Sequence, residues 1–257
     1  MTRVDMQALD DIARLLVAAR VNRTAVPAAG LDLPDAEAAY AVQHAVAAAM
    51  GWFRHGPAQH WKSGGPSRQS MLTHAPLPPD GVWASPADAA IWPFLRRGIE
   101  AEVALRLGCG VDADQAASLQ PAQLAGMFDA MCVAIEVVDS RWAEGLSAPA
   151  MAKLADLQSH GALVLGDWLP FEARDWSAQV CRVQIGANPP IERRGSHALA
   201  DPLYGLPAWL RHATAGGQRL SPGTVVTTGT WVGILDVDTG ARVTVEFPGI
   251  GQASIQL

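Results

Sequence analysis

The run Met-Cys-Val-Ala-Ile-Glu-Val-Val-Asp at 131–139 constrains this chain more than any other stretch. It is apolar and rich in β-branched residues, which predicts a strand covered on both faces. Glu136 stands inside it, and burying an ionised carboxylate without a partner costs several kcal/mol, on the order of the penalty for any unpaired buried ion. The fold therefore has to bring a cation or a partner to that position. Arg141 is one candidate, as a structural bridge to Glu136. A metal ion held by several carboxylates is the other.

Further carboxylates lie just upstream. From Ile99 the pattern has period two, with Ile99, Ala101, Val103, Leu105 and Leu107 on one strand face and Glu100, Glu102 and Arg106 on the other. On pattern alone that second face is the solvent face of an amphipathic strand. Three glutamates would offer hard oxygen ligands, which favours Mg²⁺ or Mn²⁺ over Zn²⁺.

The rest of the chain predicts α+β organisation, helices first and strands later. Apolar spacing marks an amphipathic helix over 5–20, and a second helix starts near Asp35 after Pro34 and stops at Gly51. Residues 54–98 are punctuated by Gly and Pro and read as loops with short strands. A helix with Pro121 near its start is expected to run to Asp129, and a strand covers 162–166. The segments CRVQIG, GTVVTTGTWVGIL, ARVTVEF and ASIQL predict strands, interrupted by one helix near LYGLPAWLRHA. The expectation is one unit over 1–257, with a mainly helical part at 1–60 and a β-rich core at 61–257.

Composition narrows the function. The chain has 257 residues, 49% of them hydrophobic, enough for a packed core. A net charge of −6 and no basic stripe argue against nucleic acid as a partner. No apolar run is long enough to span a membrane, the N-terminus is too polar for a signal peptide, and three widely spaced cysteines are not a disulfide framework. A cytoplasmic protein is expected. Of 19 basic residues 17 are Arg; only Lys62 and Lys153 are Lys. Lys can release its proton near neutral pH when desolvated and Arg cannot. Lys62, beside Trp61 in a Gly-rich segment, is either an exposed loop residue or an acid–base group with a lowered pKa. Thr227, Thr228 and Thr230 around Gly229 either meet an anion or serve as strand formers. No HExxH, GxSxG or phosphate-loop motif is present. The nine Trp residues read as core and interface anchors.

Several motifs occur together in order: AYAVQ (39–43), WKSG (61–64), IEAEVA (99–104), AIEVVDSRW (134–142), LVLG (163–166) and VVTTGT (225–230). With them the chain resembles the fumarylacetoacetate hydrolase superfamily, in its 2-keto-4-pentenoate hydratase / 4-oxalocrotonate decarboxylase branch, over nearly its whole length. The resemblance implies a mixed β-roll with a small helical N-terminal part. It implies a divalent metal, usually Mg²⁺, on Glu100, Glu102 and Glu136, with Lys62 as general acid–base. A small 2-oxo acid or its dienol would chelate that metal, which stabilises an enolate as a Lewis acid. Asp80 matches a loop aspartate across a gap, and Asp156, Ser159 and Gly161 match a D-N-A-S-S-G-like segment from which Leu157, Gln158 and His160 depart. Another departure lies just after the lysine, where K-x-G-L-T-S is replaced by Lys62-Ser63-Gly64-Gly65-Pro66-Ser67. Lys62, Asp80 and Ser159 are thus the catalytic candidates, and Arg141, His160, Thr228 and Thr230 the substrate-binding ones. The implied activity is hydration of 2-hydroxypenta-2,4-dienoate to 4-hydroxy-2-oxopentanoate. The alternatives are 4-oxalocrotonate-type decarboxylation, isomerisation or hydrolysis of an acylpyruvate with His160 in a His–Glu pair, and a non-catalytic partner subunit. A homo-oligomer is expected, or association with a related decarboxylase or hydratase subunit.

Overall fold

The computed structural model describes residues 6–257. Helix α1 (Met6–Asn22) buries Leu9, Ile12, Ala13, Leu16 and Ala19, the stripe its spacing predicts; residue 5 lies outside the described residues. Helix α2 (Ala36–Met50) begins where the Asp35 carboxylate accepts from the Ala38 amide. It ends at Gly51, whose φ of +67° is the left-handed conformation that closes helices. The two helices pack their apolar faces on each other and on Trp142 and Leu154 to form a small core of their own.

Short strands follow: β1 (His60–Gly64), β2 (Thr73–Pro76), β3 (Val82–Ala84) and β4 (Ala87–Asp88). The long strand β5 (Gly98–Leu107) comes next, then the short helices α3 (Ala113–Ser118) and α4 (Pro121–Leu124). Strand β6 (Phe128–Val138) leads to α5 (Ala150–Ala155), β7 (His160–Leu165), β8 (Leu169–Pro170), β9 (Val180–Ile185) and β10 (Ile191–Arg194). Helix α6 (Leu206–Thr214) precedes β11 (Val225–Thr227), β12 (Leu235–Asp236), β13 (Arg242–Phe247) and β14 (Gly251–Gln256).

The strands form two sheets. One has the order β2-β1-β11-β5-β6-β7-β3, with β12 on β5 and β8 on β6; the other runs β10-β9-β13-β14-β4. Their apolar faces share one core that includes Ile99, Val103, Ile135, Val164, Trp231, Val245 and Phe247. This is the mixed α+β roll with a small helical N-terminal part. No helix among the described residues is long and apolar enough to cross a membrane, and all three cysteines are free.

Four local expectations are corrected. The helix expected up to Asp129 ends at Leu124, and a 3₁₀ turn (Ala125–Met127) leads into β6, because Phe128 is buried and pairs with Leu107 of β5. Helix α3, held by a reciprocal capping box between Asp112 and Gln115, is an element the sequence pattern missed. Lys62 lies in β1 rather than in a loop, between β11 and β2. Of the strand-predicting segment 223–235 only Val225–Thr227 and Leu235–Asp236 are strands, because the Thr-Thr-Gly-Thr segment leaves the sheet after Thr227.

Candidate active site

Strands β5 and β6 run antiparallel with Glu100 opposite Glu136 and Glu102 opposite Ala134. Cross-strand partners share a face, and so do residues two apart on one strand. The three carboxylates therefore converge, each offering an oxygen, with these oxygens all within 4.8 Å of one another. The face read as solvent-exposed is covered: Glu102 is 2% exposed and Glu136 0%. Arg106, further along the same face, does reach the surface and pairs with Asp129.

Lys62 projects from β1 into this cluster. Its Nζ donates to Glu136 Oε1 at 2.5 Å and to the Gln158 carbonyl at 3.4 Å. Burial would lower its pKa, but the three carboxylates outweigh it and hold the ammonium above its ordinary value. This is the reverse of the lowered pKa expected from an apolar neighbourhood. Burial also pushes the carboxyl groups up, Glu100 to about 8 and Glu102 to about 7. Glu136 is held below its usual value, since Lys62 and His160 overcome its desolvation.

Other groups complete the site. His160 Nδ1 lies 3.0 Å from Glu136 Oε1, while Glu136 Oε2 is buried without a hydrogen-bond partner. Glu102 Oε2 accepts from the Gly229 amide at 2.8 Å. Gly229 has φ +107°, a conformation that side chains disfavour, and an added Cβ would lie 3.4 Å from His197. Leu157, Gln158 and Ser159 have φ of +53°, +55° and +59°, three successive left-handed residues without a glycine. This strained turn presents the Gln158 carbonyl to Lys62 and places Ser159 on the wall of a cavity of about 440 Å³. Lys62, Glu100, Glu102, Thr227 and Thr230 line the same cavity. Hollows of about 570 and 710 Å³ lie against α1 and α2, but neither holds a cluster of carboxylates.

Four of the residues singled out by sequence do not line this cavity. Arg141 does not bridge to Glu136. Its Nε donates to Asp156 at 2.7 Å and its Nη1 is 3.7 Å from Asp139, with Arg20 on the same Asp156. Asp80 is exposed on the turn after Pro79 and lines a separate cavity with Arg20, Trp92 and Arg141. The Thr228 hydroxyl donates to the Val103 carbonyl at 2.8 Å, so alternation turns Thr227 to the cavity instead. His160, 1% exposed, sits behind Glu136 and is absent from the cavity wall. Thr230 lines the cavity while its hydroxyl donates to the Gly233 carbonyl. Gln158, one of the departures from the family segment, lines the cavity, and so does Lys153, to which the sequence assigns no role. The rarity of lysine in this chain was the available signal for Lys153.

The donor set suits a hard divalent cation: three convergent carboxylates, one with a buried oxygen that no protein donor reaches. Residues 54–257 match the family described as fumarylacetoacetate (FAA) hydrolase C-terminal, and the chain belongs to that family. Among solved structures, 4-oxalocrotonate decarboxylase from Pseudomonas putida G7, complexed with magnesium and adipate, is similar with a TM-score of 0.81 at 18% identity. That match covers 99% of this chain and 98% of the other. The same enzyme complexed with calcium and acetate gives a TM-score of 0.80. Fumarylpyruvate hydrolase from Pseudomonas aeruginosa, in complex with Mn²⁺ and pyruvate, gives 0.55 at 14% identity, covering 78% of this chain and 89% of that one. No curated protein matches the chain by sequence.

Proposed function

We propose that this chain is a divalent-metal-dependent lyase acting on a small unsaturated 2-oxo acid. The observation that carries the reading is the convergence of Glu100, Glu102 and Glu136, the first two on the wall of a cavity, with Lys62 Nζ 2.5 Å from Glu136. A Mg²⁺ or Mn²⁺ ion held by the three carboxylates would polarise the 2-oxo group and the carboxylate beside it. Lys62 is the proton-carrying group, fixed between Glu136 and the Gln158 carbonyl so that its ammonium faces the cavity. The Gly229 amide orients Glu102. Ser159, whose buried hydroxyl has no hydrogen-bond partner, offers the substrate a hydrogen bond.

With 2-hydroxypenta-2,4-dienoate, the enol hydroxyl loses its proton, C5 gains one, and water adds across C3 and C4, its hydroxyl to C4 and its proton to C3, giving 4-hydroxy-2-oxopentanoate. Likeness to 4-oxalocrotonate decarboxylase along almost the entire chain supports a second reading, in which the same site releases CO₂ from a 2-oxo diacid. The test is to incubate the purified protein with freshly made 2-hydroxypenta-2,4-dienoate, and separately with 4-oxalocrotonate, in Mg²⁺ or EDTA. Products are identified by mass. A Mg²⁺-dependent gain of water is the expected outcome with the dienoate, and loss of CO₂ from the diacid would establish the second reading. Both substrates unchanged under every condition would remove the lyase assignment.

A further inference from the structure

Both lysines of the chain line the same cavity, although every other basic residue is an arginine. Lys62 is engaged by the acidic cluster, whereas Lys153, on α5, is half-buried in the cavity wall. Its ammonium makes one hydrogen bond, 3.0 Å to the Leu146 carbonyl, and among the described residues no carboxylate pairs with it. An ammonium has three donors, so this one has capacity left for an anion. The cavity wall also holds the apolar residues Leu146, Val138, Ile234 and Pro66. Lysines in the last turn of a helix commonly serve the helix's own terminal carbonyls. Lys153 instead reaches back to the turn before α5.

We infer that Lys153 is a specificity-determining residue that pairs with the second carboxylate of a dicarboxylic 2-oxo acid. The inference rests on the proposed binding of the 2-oxo end at Glu100, Glu102 and Glu136 and on the second reading above, whose substrate is a 2-oxo diacid. That end leaves a distal carboxylate to find its partner among the remaining wall groups, and Lys153 is the cation there without a carboxylate of its own. A compact ammonium on a flexible stem suits the end of a chain-like ligand, where bidentate geometry is not needed.

The test compares two saturated ligands of equal length, 2-oxoadipate and 2-oxohexanoate, which differ only in the distal carboxylate. Binding to the Mn²⁺-loaded protein is measured by isothermal titration calorimetry. The wild type should bind 2-oxoadipate about tenfold more tightly, an order of magnitude in Kd. Lys153→Gln retains a donor for the Leu146 carbonyl but removes the charge. It should bring the ratio to about one while holding 2-oxohexanoate within about twofold, and Lys153→Arg should restore most of the preference. A wild-type ratio near one, or an equal loss of both ligands in Lys153→Gln, overturns the inference. Mn²⁺-dependent binding of 2-oxohexanoate in those cases would leave the proposed function intact. If neither ligand binds the loaded wild type, the proposed function and the inference fall together.

Discussion

Glu136 sits where two electrostatic effects oppose each other. Its burial favours the protonated form, while Lys62 and His160 on a single oxygen hold it ionised. Replacing Glu136 by Gln removes a ligand charge and leaves Lys62 without its closest counter-ion. Calorimetry with Mn²⁺ should show at least a hundredfold weaker binding, and turnover should vanish; a fully active variant would remove this residue from the site. Lys62→Met separates the roles. Turnover should fall by roughly 10²–10⁴, the usual span for a positioned acid–base group, with Mn²⁺ affinity within a few-fold of wild type. The residue types of the acidic cluster were legible from the sequence, because a carboxylate inside an apolar strand demands a partner. The choice of partner was not. Arg141 is near Glu136 in sequence, yet its guanidinium is taken by Asp156 and Asp139.

At the level of elements, the antiparallel register of β5 on β6 converts two separate motifs into one cluster. A slip by one residue would turn Glu136 to the opposite face of the sheet. The end of β7 helps hold β6 in place. Gly166 donates its amide to the Val133 carbonyl, and an added Cβ would lie 2.5 Å from the Gln252 carbonyl oxygen of β14, in the other sheet. Gly166→Ala should therefore force the sheets apart and cost on the order of 1–3 kcal/mol, as overpacking does. Urea unfolding reads this directly, and wild-type stability would show that the contact yields. Helices α1 and α2 were legible from apolar periodicity and from Asp35 and Gly51, and α6 was expected near LYGLPAWLRHA. The short helix α3 was not, since its six residues carry too few apolar positions for a period to show.

For the whole molecule, burial keeps several imidazoles neutral. His60, His74, His197 and His212 all have lowered pKa values caused first by desolvation, His74 down to about 3. His74 is 4% exposed, with its Nδ1 3.0 Å from Ser63 Oγ and with Tyr40 and His212 packed nearby. Above an unfolded-state pKa near 6.5 the imidazole is neutral in both states, so stability is unaffected. As the pH falls below that value, only the unfolded chain takes up the proton, and stability declines until about pH 3, where folded His74 is protonated as well. At pH 5 this residue alone costs about 2 kcal/mol. Urea midpoints should drop between pH 7 and pH 5, and His74→Gln should flatten that slope. A pH-independent midpoint over this range would contradict it.

Local features follow from the residues alone: which stretches are helices or strands, and that an acidic group lies in an apolar strand. These follow from periodicity, capping residues and the cost of burying charge, all of which act within a few neighbouring positions. Only the tertiary structure decided what surrounds that charge. Lys62 reaches Glu136 because β1 pairs with β11 and β11 with β5. Thr227 rather than Thr228 faces the cavity, and Lys153 joins the same wall from α5. Those placements depend on strand order and register between segments far apart in the chain, where no local preference of the backbone acts.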